Sequence, residues 1–229
     1  MYICGSIQAP GAQTADELYA ARADLASARR AAEGWSADLS RDPGAFEPAW
    51  KLARACYWLG GHAPETERRG FFERGIAAGR QAMASRPDRP EGYFWMAANM
   101  GSMAESFGLR AGLRYRKPVK EALETVLRID AAYQAGSADR ALGRWYFKVP
   151  GLLGGSRKKA EQHLRASLQY DDHSTVSHFF LAEVLLADNR KAEARAELQR
   201  IVDAPINPEW APEDREYKDK AQALLARLR

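Results

Sequence analysis

Arginine set among aromatic residues is the pattern in this chain best suited to chemistry. Four stretches carry a large apolar residue followed by a small one: Leu52-Ala53, Met96-Ala97, Leu142-Gly143 and Leu181-Ala182. Two positions before each pair stand Trp50, Phe94, Arg140 and Phe179. Two positions after the large residue stand Arg54, Ala98, Arg144 and Glu183, and three further on Tyr57, Gly101, Phe147 and Leu186. A guanidinium forks to a carboxylate or stacks on a ring, and aromatic faces bury apolar area. The chemistry implied is recognition of an amphipathic anion or an acidic-aromatic peptide segment. Trp50, Arg54, Tyr57, Phe94, Arg140, Arg144, Phe147 and Phe179 are therefore the candidate binding residues.

Bond-making chemistry has weaker support. His62, His163, His173 and His178 form no HxxH, HExxH or Cys-His spacing, so no metal site is expected. Ser156 and Ser174 stand where helix N-caps belong and read as caps, not nucleophiles. Gly151, Gly154 and Gly155 follow no strand and lack the GxxxxGK[ST] pattern, so they read as a turn and not a phosphate cradle. No catalytic residue and no cofactor is expected. Arg110, Arg114, Arg116 and Lys117 form a basic cluster in a stretch without acidic residues. One cluster of that size, with no nucleic-acid motif beside it, gives no expectation of nucleic-acid binding.

The elements that must hold these residues are helices. The 229 residues are 46% hydrophobic and 28% charged with a formal net charge of +4, an ordinary globular composition. No run of about eighteen apolar residues offers a membrane span. The two cysteines, Cys4 and Cys56, cannot frame a disulfide scaffold or a zinc site. Cys56 sits in an apolar helical run and reads as buried. No segment alternates with a period of two, so no sheet is expected. Residues 1–13 read as a flexible tail and residues 14–229 as one helical-repeat domain.

Thr14 with Glu17 is a capping-box signal, and the reading continues as helix to about Leu39, with Gly34 a bend. Helices then start at Phe46, near Gly70 after a polar insertion from His62 to Arg69, near Tyr93, and at Pro118 after a loop from Gly108 to Lys117. Ala138 to Phe147 and Arg157 to Tyr170 flank the Pro150-Gly151-Leu152-Leu153-Gly154-Gly155 break. Val176 to Ala187 and Ala192 to Val202 follow, and a last amphipathic helix near Glu213 to Leu228 is expected to cap the stack.

Unit ends fall near Pro43, Pro87, Ala131, Asp172 and Pro205, intervals of 44, 44, 41 and 33 residues. This resembles the tetratricopeptide repeat lengthened by insertions, hence an all-α superhelix of stacked hairpins with a C-terminal capping helix. In such stacks the first helix of each pair lines the concave surface. A narrower resemblance rests on Ala141 to Tyr146, the Pro-Gly-Leu-Leu-Gly-Gly loop, Lys159-Ala160 and Leu164. Tyr93-Phe94-Trp95 with Asn99 and Gly101, and Tyr217-Lys218 with Lys220-Ala221, accompany it. These motifs resemble the T component of tripartite ATP-independent periplasmic (TRAP) transporters, the TatT-like family. A weaker kinship of the loop is with eukaryotic regulators of microtubule dynamics.

The T-component resemblance implies a non-enzymatic accessory protein, periplasmic or lipid-anchored to the envelope. It would bind a transporter substrate-binding subunit and a small anionic ligand, and would form trimers. Cys4-Gly5-Ser6 resembles a lipoprotein start, although Met1-Tyr2-Ile3 supplies no signal region. A true start at Met1 would place the chain in the cytoplasm. The alternative is a general repeat scaffold for protein–protein interaction, unrelated to transport.

Overall fold

The computed structural model describes residues 13–228. Of the expected tail all but Gln13 lies outside them, and so does Cys4. Among the described residues the chain is all-α, as expected, with the helices pairing into hairpins that stack in order. They are α1 Ala15–Ala20, α2 Leu25–Arg41, α3 Phe46–His62, α4 Glu65–Ser85, α5 Pro90–Ser106, α6 Gly108–Ile129, α7 Ser137–Lys148, α8 Arg157–Ser167, α9 Thr175–Ala187, α10 Lys191–Asp203 and α11 Ala211–Arg227. Successive hairpins pack α3 with α4, α5 with α6, α7 with α8, and α9 with α10, and α3 touches α5 directly.

Small residues set the close approaches. A side chain at Gly143 would meet Leu164 Cγ at 2.5 Å, so α7 and α8 need glycine there. At Gly60 the obstacle would be the Phe72 ring, at 2.4 Å. Gly60-Gly61 therefore does not stop α3. It admits α4, which begins at Glu65 immediately after Pro64, and the expected polar insertion is mostly helix. Leu142, Leu164, Leu181, Leu185 and Leu198 form a fully buried spine, and burial pushes the Cys56 thiol up to about 12.

Two other boundaries differ from expectation. The first helix is broken at Ala21 to Asp24, where the Asp24 carboxylate accepts the N–H groups of Ala26 and Ser27 and caps α2. The stretch from Gly108 to Lys117 is helical, and α6 runs through Pro118. The ring removes one donor, yet the apolar stripe Ala111, Tyr115, Val119, Ala122, Val126 stays buried on both sides of it.

The Pro150–Gly155 connection closes α7 onto α8 through one 3-10 turn, Gly151–Leu153. The Ser156 N–H donates to Tyr146 O at 2.8 Å, and the Ser156 side chain caps α8 at Lys159 N. Ser174 likewise caps α9.

The C-terminal helix does more than cover an end. Lys218 Nζ donates to the carbonyls of Ile201, Val202 and Ala204 at 3.0, 2.6 and 2.6 Å, which caps α10. Asp214 accepts from the Thr175 hydroxyl at 2.7 Å and from Asn207 N at 2.8 Å. At its other flank α11 meets the beginning of the chain. Buried Arg22 donates to both Glu213 oxygens, at 2.6 and 2.9 Å, and to Glu209 O at 2.7 Å. The Trp58 indole donates to Arg22 O at 2.7 Å. His62, stacked on Trp58 at 3.6 Å, reaches Glu216 at 3.3 Å. The stack is thus clasped end to end by α11.

Candidate functional site

The candidate residues on α3, α5, α7 and α9 divide into arginines without an ion-pair partner among the described residues and residues already engaged by the protein. On α3, the Arg54 guanidinium lies 4.2 Å from the Tyr19 ring centroid and 4.9 Å from that of Trp50. Arg54 has no ion-pair partner among the described residues, and its Nε is buried without a hydrogen-bond acceptor. The Trp50 and Trp95 indole N–H groups and the Tyr133 hydroxyl are also buried and unpartnered. Leaving such a group unpaired costs about 1–3 kcal/mol.

Tyr57 is 39% exposed, and its ring tilts against Trp95 at 5.7 Å. Burial nevertheless raises its phenol, with Arg140 opposing. Arg140, on α7, is a near neighbour of Tyr57. It makes no ion pair among the described residues, and burial lowers its guanidinium, offset in part by Tyr57, Tyr217 and Asp171. Trp50 and Arg54 are thus in contact, and Tyr57 and Arg140 are neighbours.

The other candidates have partners. Phe94 is 7% exposed and packs edge-on against Trp95 and Tyr133 at 5.0 and 5.6 Å, so it belongs to the core. Arg144 donates to both Glu105 oxygens at 3.1 and 2.9 Å and also pairs with Glu183, with its guanidinium over the Phe180 ring. Burial would lower its pKa, but the Glu105 hydrogen bonds and the two carboxylates raise it overall. Phe179 lies under α11, with its ring 5.3 Å from Tyr217. Phe147 is half-buried beside Lys148.

Position within a repeat could not reveal Tyr19, Tyr133 or Tyr217, since each arrives from another segment. Tyr133 comes from the turn after α6, where Gln134, Ala135 and Gly136 all take positive φ of 44°, 53° and 72° and fold the chain back toward α5. Its phenol is raised, first by burial and then by Glu91. The Trp95 indole beside it offsets part of that rise without completing a hydrogen bond. Elsewhere, His178 and Glu197 form a buried pair at 2.6 Å between α9 and α10, with His178 Nε2 2.9 Å from Asp172 O. Among the described residues no three His, Cys, Asp or Glu side chains gather to hold a metal ion. No helix there is long and apolar enough to cross a membrane.

Comparison with known proteins identifies the fold and corrects the family. The family model for regulator of microtubule dynamics protein 1-3 matches residues 12–165. No curated protein matches the chain. Among solved structures, a thermophilic TPR protein of Thermus thermophilus is similar at 22% identity and TM-score 0.69, over 93% of this chain and 95% of that one. MamA is similar at 14% identity and TM-score 0.52, over 87% of this chain and 95% of its own. The T-component resemblance is thereby overturned. The motifs that carried it, chiefly the Pro150–Gly155 loop and Tyr93-Phe94-Trp95, close a hairpin and fill a core. Packing roles of that kind do not separate one helical-repeat family from another. The substrate-binding subunit, the trimer, and the periplasmic or lipid-anchored location lose their support with it.

Proposed function

Because this chain belongs to the family of regulator of microtubule dynamics protein 1-3, and its hairpins stack as in TPR proteins, we propose that it is a non-enzymatic scaffold for protein–protein interaction. Its concave face takes up an extended segment of a partner that carries both acidic and aromatic residues. The observation that supports this reading is the state of the arginines. Arg22 and Arg144 are held by carboxylates, whereas Arg54 and Arg140 have none among the described residues and lie on aromatic walls. A half-buried guanidinium without a counter-ion favours an anion brought by a partner, because the desolvation cost is already met in the unbound protein. The family's name connects its members with the regulation of microtubule dynamics. The proposal for this chain is the coarser one, a partner-binding groove.

A labelled acidic-aromatic peptide, titrated against the full chain by fluorescence anisotropy, tests it. Arg54→Gln and Arg140→Gln should each weaken binding about tenfold, equivalent to about 1.4 kcal/mol. A charge-reversed peptide should not bind. Unchanged affinity in both variants, or equal binding of the reversed peptide, removes the groove from consideration.

A further inference from the structure

A second face, distant in role from the groove, carries large apolar side chains in solvent. Leu152, on the turn between α7 and α8, is fully exposed at 102%, and Leu109 and Leu113 on α6 are 75% and 50% exposed. Leu109, Leu113 and Arg116 follow at intervals of four and three and so share one side of α6. Arg116 Nη1 donates to Leu153 O, which joins that side to the turn carrying Leu152. Alongside run Arg110, Arg114 and Lys117, one further stripe of the same helix, none with an ion-pair partner among the described residues. Next to them opens a cavity of about 420 Å³, where Arg116, Lys117, Lys120 and Lys159 face Glu121 and Glu124. Four cations against two carboxylates leave it cationic, and Glu124 is already paired with Lys120.

We propose that this face docks on an anionic lipid surface, with Leu109, Leu113 and Leu152 inserted among the acyl chains and the flanking cations on the headgroups. Exposed leucines fringed by arginine and lysine are the composition of an interfacial contact, where apolar insertion and attraction to anionic lipid add together. Shape separates this occupant from others. Leu152 projects from a turn and encloses nothing, which suits a soft apolar medium better than a peptide. A second copy of the chain would bring Arg110, Arg114 and Lys117 against themselves, and like charges in contact are repulsive. Arg116 fixes the turn, and its Nε stays buried without an acceptor beside the cavity, where a headgroup oxygen would find a donor. The inference goes beyond the groove and does not depend on it.

The test is sedimentation of the full chain with vesicles of phosphatidylcholine alone and of phosphatidylcholine with phosphatidylserine. Binding is expected to the mixed vesicles only, and to fall as salt rises. Leu113→Asp with Leu152→Asp should cut the partition by tenfold or more, on the order of the burial of two leucines. Arg110→Gln and Lys117→Gln should cost about fivefold each. These side chains are exposed, so the variants should melt with the wild type, and Arg54→Gln should sediment normally. Three outcomes would overturn the proposal: no binding to mixed vesicles, binding that survives the double leucine change, or a solution dimer lost in that variant.

Discussion

Two parts of the helical stack use the same residue types to opposite ends. Toward α3, Arg54 lies on Tyr19 and Trp50 with no carboxylate. Toward α9, Arg144 lies on Phe180 with Glu105 and Glu183 both in contact. One turn of α7 separates Arg144 from Arg140, which again has no ion-pair partner among the described residues. An arginine at this repeat position is thus a stabilising tie or is left without a counter-ion according to the acids that neighbouring repeats supply. Its place in the repeat does not decide which. Helix α11 reaches both parts, with Tyr217 against Phe179 and near Arg140, and with Glu213 gripped by Arg22 beside Tyr19.

The largest expected effect comes from releasing the clasp. Arg22→Ala would leave Glu213 without its buried partner and the Glu209 carbonyl without a donor. Breaking one side of a buried ion pair costs about 3–5 kcal/mol. For a chain of this length that lowers Tm by on the order of 10 °C, measured by scanning calorimetry. A fall of only a degree or two would show that α11 is held by its stacking on α9 and α10 alone.

Next in size is the contrast between the two arginines. Arg144→Gln should cost about 1.5–3 kcal/mol in urea unfolding, since charge-assisted hydrogen bonds to Glu105 and Glu183 are lost. Arg54→Gln should change stability by less than about 1 kcal/mol, because only its stacking on rings is lost. Peptide binding should reverse the order, with Arg54→Gln the more damaging. If both variants lose the same stability and the same affinity, the division of the surface is wrong.

How far these differences could be read in advance follows from where their causes lie. The α7–α8 hairpin was legible because Gly143 is small for a local reason, the approach of Leu164 and of the Ala160 carbonyl. The capping box at Thr14 and the caps at Ser156 and Ser174 are local too, and they appear as expected. Pro118 signals a helix start, yet a buried stripe on both sides carries α6 through it. At Asp24 one carboxylate caps a new helix where the periodicity alone would continue the first. At the site, repeat register assigned Phe94 and Arg144 to the surface equally with Arg54. Tyr133 claims the first and Glu105 with Glu183 claims the second, from 39 residues away along the chain in each case. Pairing across repeats is a property of the stack and is not written in any single repeat.

The smallest effect is the pH response of the clasp, and its sign can be worked out. Burial pulls the His62 imidazole down, but the Glu216 hydrogen bond, the Trp58 carbonyl and Glu213 more than compensate, so its pKa is raised. The Glu216 carboxyl is held at about 2, chiefly by the His62 hydrogen bond with help from Lys220, against burial. A raised histidine stabilises fully below its unfolded value of about 6.5, and that contribution is lost as pH climbs through the folded value. A depressed glutamate stabilises above its unfolded value of about 4.3, and that contribution is lost as pH falls toward the folded one. The clasp is therefore tightest between about pH 4.3 and 6.5. Both side chains are a third or more exposed, so solvent screening holds the effect below about 1 kcal/mol. Raising pH from about 6 to about 8.5 should lower Tm by roughly 1–3 °C in the wild type and by less in His62→Gln. Added salt should narrow that gap. Parallel melting of the two proteins across this window would assign the hold on α11 to Arg22 and Lys218, with His62 a packing residue on Trp58.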